Sequence, residues 1–302
     1  MHWQIGNVRV TRVVEMVTLA PLQGLAPQAT VADLEPHRDW LVPTYADEDG
    51  NLRLSVHALV VESAGRRIVV DTCVGNGKPR PFPGWGDLQT AFLDDLAAAG
   101  FPPDSIDTVL CTHLHFDHVG WNTREADGAW VPTFPNARYL FGAIELAHWQ
   151  QADDPMAITA TSSMQDSIQP ILDAGLADLI ASDHVITPEV RLVPTPGHSP
   201  GHHSVVIESG GRTAVITGDV AHSPVQLAEP DWVGMADSDQ PQACRTRHEF
   251  RLRFGGPDVL IIGTHFPTPT AGHLLETAGR WQFIGAPSTP SPDGGPVEGG
   301  RP

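Results

Sequence analysis

Thr112-His113-Leu114-His115-Phe116-Asp117-His118 follows directly on a short apolar run at 106–111. Three imidazoles and one carboxylate within the six residues 113–118 form a concentrated set of nitrogen and oxygen donors, just past a short buried strand. Such donors are what Zn²⁺, Fe²⁺ and Mn²⁺ accept. His113 and His115 are two apart and project to one side of an extended chain. Asp117 and His118 reach a second position if the chain turns there. With this composition the run arises by chance about three times in a thousand, so scattered surface histidines are a poor account of it.

Three further donors stand in comparable places. His198 lies in TPGHSPGHH after an apolar run at 190–193. Asp219 lies in TGD after runs at 204–208 and 213–217, and His265 in GTHF after a run at 258–263. Alone, a histidine or aspartate at a strand end is ordinary capping chemistry. Together, beside glycines that let backbone turn tightly, they bring the set to five histidines and two aspartates. Seven donors exceed the needs of one tetrahedral ion. They suit two ions that share a bridging carboxylate.

The rest of the chain alternates strand and helix. A strand is expected over 5–17, then an irregular excursion over 18–53 with Pro21, Pro27, Pro36 and Pro43, of the kind that covers a site. Runs at 55–63 and 66–73, split by Ala64-Gly65, predict a hairpin. A Gly/Pro loop at 75–86 precedes a helix over 88–99 that stops at Gly100. A strand at 138–141 and helices near 143–151, 163–174 and 240–253 complete the pattern. Residues 1–285 are expected to form one domain. The stretch 286–302, with five prolines and four glycines, is expected to be a disordered tail.

The pattern His113-x-His115-x-Asp117-His118, followed by His198, Asp219 and His265, resembles the metallo-β-lactamase superfamily, with all seven ligand positions filled. The likeness runs from about residue 5 to about residue 283 in order and spacing. Asp71, in VVDTC, matches the family's strand-end aspartate, and Cys73 stands where a glycine is more usual. THLHFDHVGWN and TPGHSPGHHS look most like the lactonase and organophosphate-hydrolase branch. The resemblance implies an α/β fold, a four-layer αββα sandwich with its site at one edge of the two sheets. It implies that His113, His115 and His198 hold one ion, that Asp117, His118 and His265 hold the other, and that Asp219 bridges them. The cofactors implied are two divalent metal ions, zinc first, with iron, manganese or cobalt as alternatives. Water between two such ions is acidified to hydroxide near neutral pH, and the ions polarise the scissile bond. Asp117 is expected to double as proton shuttle. His222, three residues past Asp219, is expected to meet the substrate, near the point where the resembling lactonases carry a tyrosine.

Composition bounds the partners. Lys+Arg 18 against Asp+Glu 36 gives a net charge of −18, which repels nucleic-acid backbones and anionic membranes. A small-molecule substrate is expected instead, with a homodimer left open. The start carries no export signal and no span is apolar enough for a membrane, so a cytoplasmic location is expected. Cys73, Cys111 and Cys244 are too far apart for a disulfide framework, and Cys73 and Cys111 are expected to be buried, inert thiols. His57 is expected in the core, His202 or His203 behind a ligand, and half of Phe82, Trp85, Trp121 and Phe266 along a pocket.

Hydrolysis of a lactone or carboxylic ester leads, with phosphotriester hydrolysis as the alternative. Zinc β-lactamases usually lack a bridging aspartate such as Asp219, and a glyoxalase-type thioesterase would carry more basic residues near its C-terminus. A nuclease is disfavoured by charge. A mononuclear-iron dioxygenase would use a subset of the same ligands, and a silent metal-binding protein would not be expected to retain all seven.

Overall fold

The computed structural model describes residues 1–80, 82–151 and 163–289. Successive strand residues point to opposite faces, and both faces of the central strands are apolar. Val60, Val69 and Val109 pack with Phe92, Leu96 and Ile171 on one side. Leu59, Val61, Ile68, Val70 and Leu110 meet Leu192, Val205, Ile207, Ile216 and Ile262 of a second sheet on the other. The far face of that second sheet, through Val206, Val215 and Ile261, packs with Phe250 and Phe254. Three stacked cores therefore make four layers, with helices outside and two sheets inside.

The first half of the chain supplies β1 (His2–Ile5), β2 (Val8–Ala20), β3 (Leu52–Ser63), β4 (Arg66–Val70) and β5 (Thr108–Leu110). A separate small hairpin, β6 (Thr123–Ala126) and β7 (Ala129–Pro132), precedes β8 (Arg138–Gly142) and β9 (Ala177–Ile180). The second half supplies β10 (Val185–Thr187), β11 (Val190–Pro194), β12 (His203–Ser209) and β13 (Arg212–Ile216). It ends with β14 (Val259–Ile262), β15 (Ala271–Thr277) and β16 (Arg280–Gly285). Among the described residues the sheet orders are β1-β2-β3-β4-β5-β8-β9 and β10-β11-β12-β13-β14-β15-β16. Strands β4, β5, β8 and β9 run parallel, as do β13 and β14.

Several expectations are corrected. The strand expected over 5–17 runs over Val8–Ala20, and a turn at Gly6-Asn7 joins it to β1; Gly6 takes φ +57° there, and a Cβ would lie 2.2 Å from the Ser209 carbonyl oxygen. The excursion expected over 18–53 is shorter, because Thr18–Ala20 pair with Leu52–Leu54 between β2 and β3. It is also more than surface: Leu22, Leu34, Leu41 and Tyr45 are buried against the second sheet's outer core. The helix expected from 88 begins at Phe92. The hairpin β15–β16 was not expected at all. At the start of the stretch expected to be a disordered tail, Ala286 donates to the Ala271 carbonyl and Thr289 to the His2 carbonyl. The remainder of that stretch, 290–302, lies outside the described residues. No helix of the described residues is long and apolar enough to cross a membrane.

Candidate metal centre

The carboxyl ends of β4, β5, β11, β13 and β14 converge at one edge of the sandwich. After β5 the chain bends through His113 and His115, and the helical turn Phe116–Val119 starts at once, carrying Asp117 and His118 to a second position. After β13, Gly218 takes φ +54°, and a Cβ there would sit 2.4 Å from His202 Nε2, so this turn requires glycine. All seven expected donors meet. His115 Nδ1 lies 3.0 Å from His113 Nε2 and 2.9 Å from His198 Nε2. Asp117 lies 3.7 Å from His118 Nε2 and 3.6 Å from His265 Nε2. Asp219 stands between the groups, 3.3 Å from His118, 3.4 Å from His198 and 3.3 Å from His265.

The surroundings decide which atom of each ring faces inward. His118 Nδ1 is 3.0 Å from the Asp71 carboxylate, His198 Nδ1 is 3.1 Å from that of Asp237, and His265 Nδ1 is 3.2 Å from the Ser55 carbonyl. Those partners only accept, so each Nδ1 carries a proton and each ring aims its Nε2 inward, where the neutral form, the one a metal ion takes, presents a lone pair. His265 Nε2 and His118 Nε2 then face each other at 3.2 Å as two acceptors, an arrangement that suits a shared cation and not a hydrogen bond. The donor set fits divalent metal.

Charge is unevenly spread over it. Burial and neighbouring imidazoles hold His113 and His115 well below the usual histidine range, in the neutral, ligating form. Burial would lower His118 and His265 too, but Asp219 and Asp117 outweigh it and raise both. Burial would raise Asp219, yet His118, His265 and His222 hold its carboxyl well below the ordinary range. Positive charge is favoured on the Asp117 side.

Three residues that no sequence pattern disclosed, Glu145, Asp237 and Arg247, hold this frame together with His202. Glu145, fully buried in the helix Ala143–Gln151, accepts from Leu114 N–H at 3.2 Å and Trp149 Nε1 at 2.6 Å. Its other oxygen accepts from Ser199 Oγ and Gly201 N–H, both at 2.8 Å, and so staples the His113–His115 loop to the His198 loop. Asp237 accepts from His198 and, at 2.8 Å, from Arg247 Nη2. Arg247 donates further to the Val220 and Trp232 carbonyls. Of the two histidines beside the His198 turn, His202 is the brace: its Nε2 accepts from Asp219 N–H at 2.8 Å.

A cavity of about 570 Å³ opens on the donors His115, Asp117, His198 and Asp219. Its walls include Leu19, Leu25, Leu54, Phe82, Trp85 and Phe116, and among the described residues no lysine or arginine lines it. Phe82 and Trp85 are the half of the four singled-out aromatics that reach it. Trp121 stacks on Phe92, and Phe266 packs with Tyr45 and Phe283. His222 also lines the cavity, with Nε2 3.1 Å from Asp219 Oδ2.

The sequence profile of the metallo-β-lactamase superfamily matches residues 52–265, which contain every donor named. The chain belongs to this superfamily. An N-acyl homoserine lactonase of Bacillus thuringiensis is 33% identical over 128 residues, 42% of this chain and 43% of the lactonase. The chain thus matches less than half the length of that relative. Among solved structures, the hydrolase AbOPH of the β-lactamase superfamily superposes with TM-score 0.79 at 24% identity, covering 95% of this chain and 97% of that one. The dizinc quorum-quenching lactonase AidC, bound to a product, superposes with TM-score 0.79 at 21% identity, covering 96% and 98%. The fold is that of the metallo-β-lactamase superfamily, a metal-dependent hydrolase fold, as the sequence resemblance implied. In this superfamily member Cys73, where glycine is more usual, sits at φ +54°, the backbone region glycine favours. Burial raises the Cys73 and Cys111 thiols, which removes both as nucleophiles. His57 is buried in β3 beside Ser55 Oγ, a core residue as expected.

Proposed function

We propose that the protein hydrolyses a lactone or related carboxylic ester at a dinuclear centre, zinc being the first candidate metal. The observation that carries this is the cavity: largely apolar, without lysine or arginine among its described lining residues, and opening on four of the seven converging donors. A neutral substrate with an apolar arm fits such walls, which offer no lysine or arginine among the described residues to pair with an anionic group on that arm. The lactonase relatives and the product-bound AidC support the same substrate class.

His113, His115 and His198 would hold one ion and Asp117, His118 and His265 the other, with Asp219 shared. Bound ions supply the charge that polarises the carbonyl oxygen and lowers the pKa of water. The chain's own groups handle the proton. Water adds to the carbonyl carbon, the C–O bond of the ring or ester breaks, and the alkoxide takes up a proton. Asp117, whose side chain is 14% exposed where Asp219 is 3% exposed, projects towards the cavity and relays that proton. His222 lines the cavity beside Asp219 and is the residue assigned to a substrate oxygen.

The test is a hydrolysis panel on the metal-loaded protein, covering acyl lactones, aryl esters, phosphotriesters and β-lactams. The highest kcat/KM is expected on a lactone or ester, lost on chelation and restored by zinc. A phosphotriester or β-lactam as best substrate overturns the substrate class, and turnover by metal-free protein overturns the centre. With both ions retained, Asp117→Asn should lower kcat by roughly 10²-fold. His222→Phe should lower it by about one to three orders of magnitude.

A further inference from the structure

The helix Gln240–Phe254 sends Arg247 inward to Asp237, and beside Arg247 it carries a cluster with no part in the hydrolytic site. Cys244 and His248 are four residues apart, the spacing that stacks two side chains on one helix face. Asp231, from the preceding loop, reaches both. Cys244 Sγ and His248 Nε2 each lie 2.8 Å from the same oxygen, Asp231 Oδ1. Cys244 and His248 are partly exposed and Asp231 is exposed, so an ion from solvent can reach all three.

We propose that Asp231, Cys244 and His248 form a third cation site, for a divalent ion of the zinc type, outside the dinuclear centre. Sulfur, nitrogen and oxygen donors within 4.8 Å of one another are a set that zinc takes readily. The thiol and the imidazole N–H both donate to one carboxylate oxygen, so two protons converge where one doubly charged ion can stand. Binding expels the thiol proton to solvent. The Nε2 proton of His248 moves to Nδ1, or is lost to solvent if the ring starts as imidazolium. Thiolate, carboxylate and neutral imidazole then balance the +2 charge, and water takes the fourth position. The sulfur selects zinc or cadmium over magnesium and calcium, and a chain of net charge −18 concentrates cations around it. Such an ion ties the loop before Trp232, whose carbonyl accepts from Arg247 at 3.0 Å, to the helix that carries Arg247.

The experiment titrates the metal-loaded protein with Zn²⁺ and, separately, with Cd²⁺. Cys73 and Cys111 are buried, so a thiolate-to-cadmium absorption band reports Cys244. One further equivalent beyond the resident metal content is expected, with that band for cadmium and a higher Tm for zinc. Cys244→Ser should remove the band and the extra equivalent while leaving the resident content and the activity unchanged. His248→Ala should weaken the extra site at least about tenfold, the scale on which even indirect partners of a ligand act. No extra equivalent and no band in the wild type overturns the proposal. An extra equivalent that survives both variants is an adventitious ion only, and a band that His248→Ala leaves untouched is a lone thiol; either result overturns it. Because every arm is counted against the resident metal content, failure of the dinuclear centre shows separately, as a resident content other than two.

Discussion

Asp71 and Asp237 each accept a hydrogen bond from the Nδ1 of a donor histidine, His118 at 3.0 Å and His198 at 3.1 Å, yet they are supported by different physics. Asp71 directly follows β4 and accepts from the N–H and hydroxyl of Thr112, two residues past the end of neighbouring β5, at 2.7 and 2.9 Å. Those are neutral donors set in place by the register of two parallel strands. Asp237 lies in a loop and leans on the guanidinium of Arg247, which is only 1% exposed. One brace is an extension of a sheet; the other is a buried ion pair. Removing either carboxylate loosens a histidine, but only the second removal also strands a charge.

The largest effect should therefore come from Asp237→Ala. Breaking one side of a buried pair costs about 3–5 kcal/mol, and the loss of a group behind a ligating histidine costs about 10–100-fold in metal affinity. Urea unfolding and metal titration read the two separately. Adding Arg247→Met should return part of the stability and none of the affinity, which would isolate the stranded cation as the cause. Asp71→Ala comes next, with a similar loss of affinity and a stability cost of about 1–3 kcal/mol for unpaired buried donors. If Asp71→Ala proves the more destabilising of the two, the contrast between the braces is wrong. Glu145→Gln should be the mildest, at about 1 kcal/mol, because one oxygen remains to accept while the new amide meets an N–H or hydroxyl donor. A larger loss than for Asp71→Ala would make the staple between the loops the main support of the centre.

These braces also mark the limit of what the sequence discloses. The donors were legible because each stands just past a run of apolar residues that ends at a sheet edge, and because four of them lie within the six residues 113–118. Glu145 sits in AIELAHWQQ, where nothing local distinguishes it from a solvated helix acid; its partners Ser199 and Gly201 are 54 and 56 residues away. Asp237 and Arg247 are paired by a loop path that no periodicity encodes. The hairpin β15–β16 escaped notice because its turn, Ala278-Gly279, takes φ +53° and +78° with an alanine in the first position. The prolines of the excursion hid its buried leucines: Leu22 and Leu41 are core residues spaced by turns, without helical or strand period.

The donors are divided between the two halves of the chain, with His113, His115, Asp117 and His118 from one and His198, Asp219 and His265 from the other. An ion seated among them is a rivet through the sandwich, and unfolding has to draw it. Each tenfold rise of free ion above its dissociation constant then adds about 1.4 kcal/mol per site to the folded state. Scarcity of metal would thus be felt first as turnover of the polypeptide by proteases, before it was felt as a slower reaction.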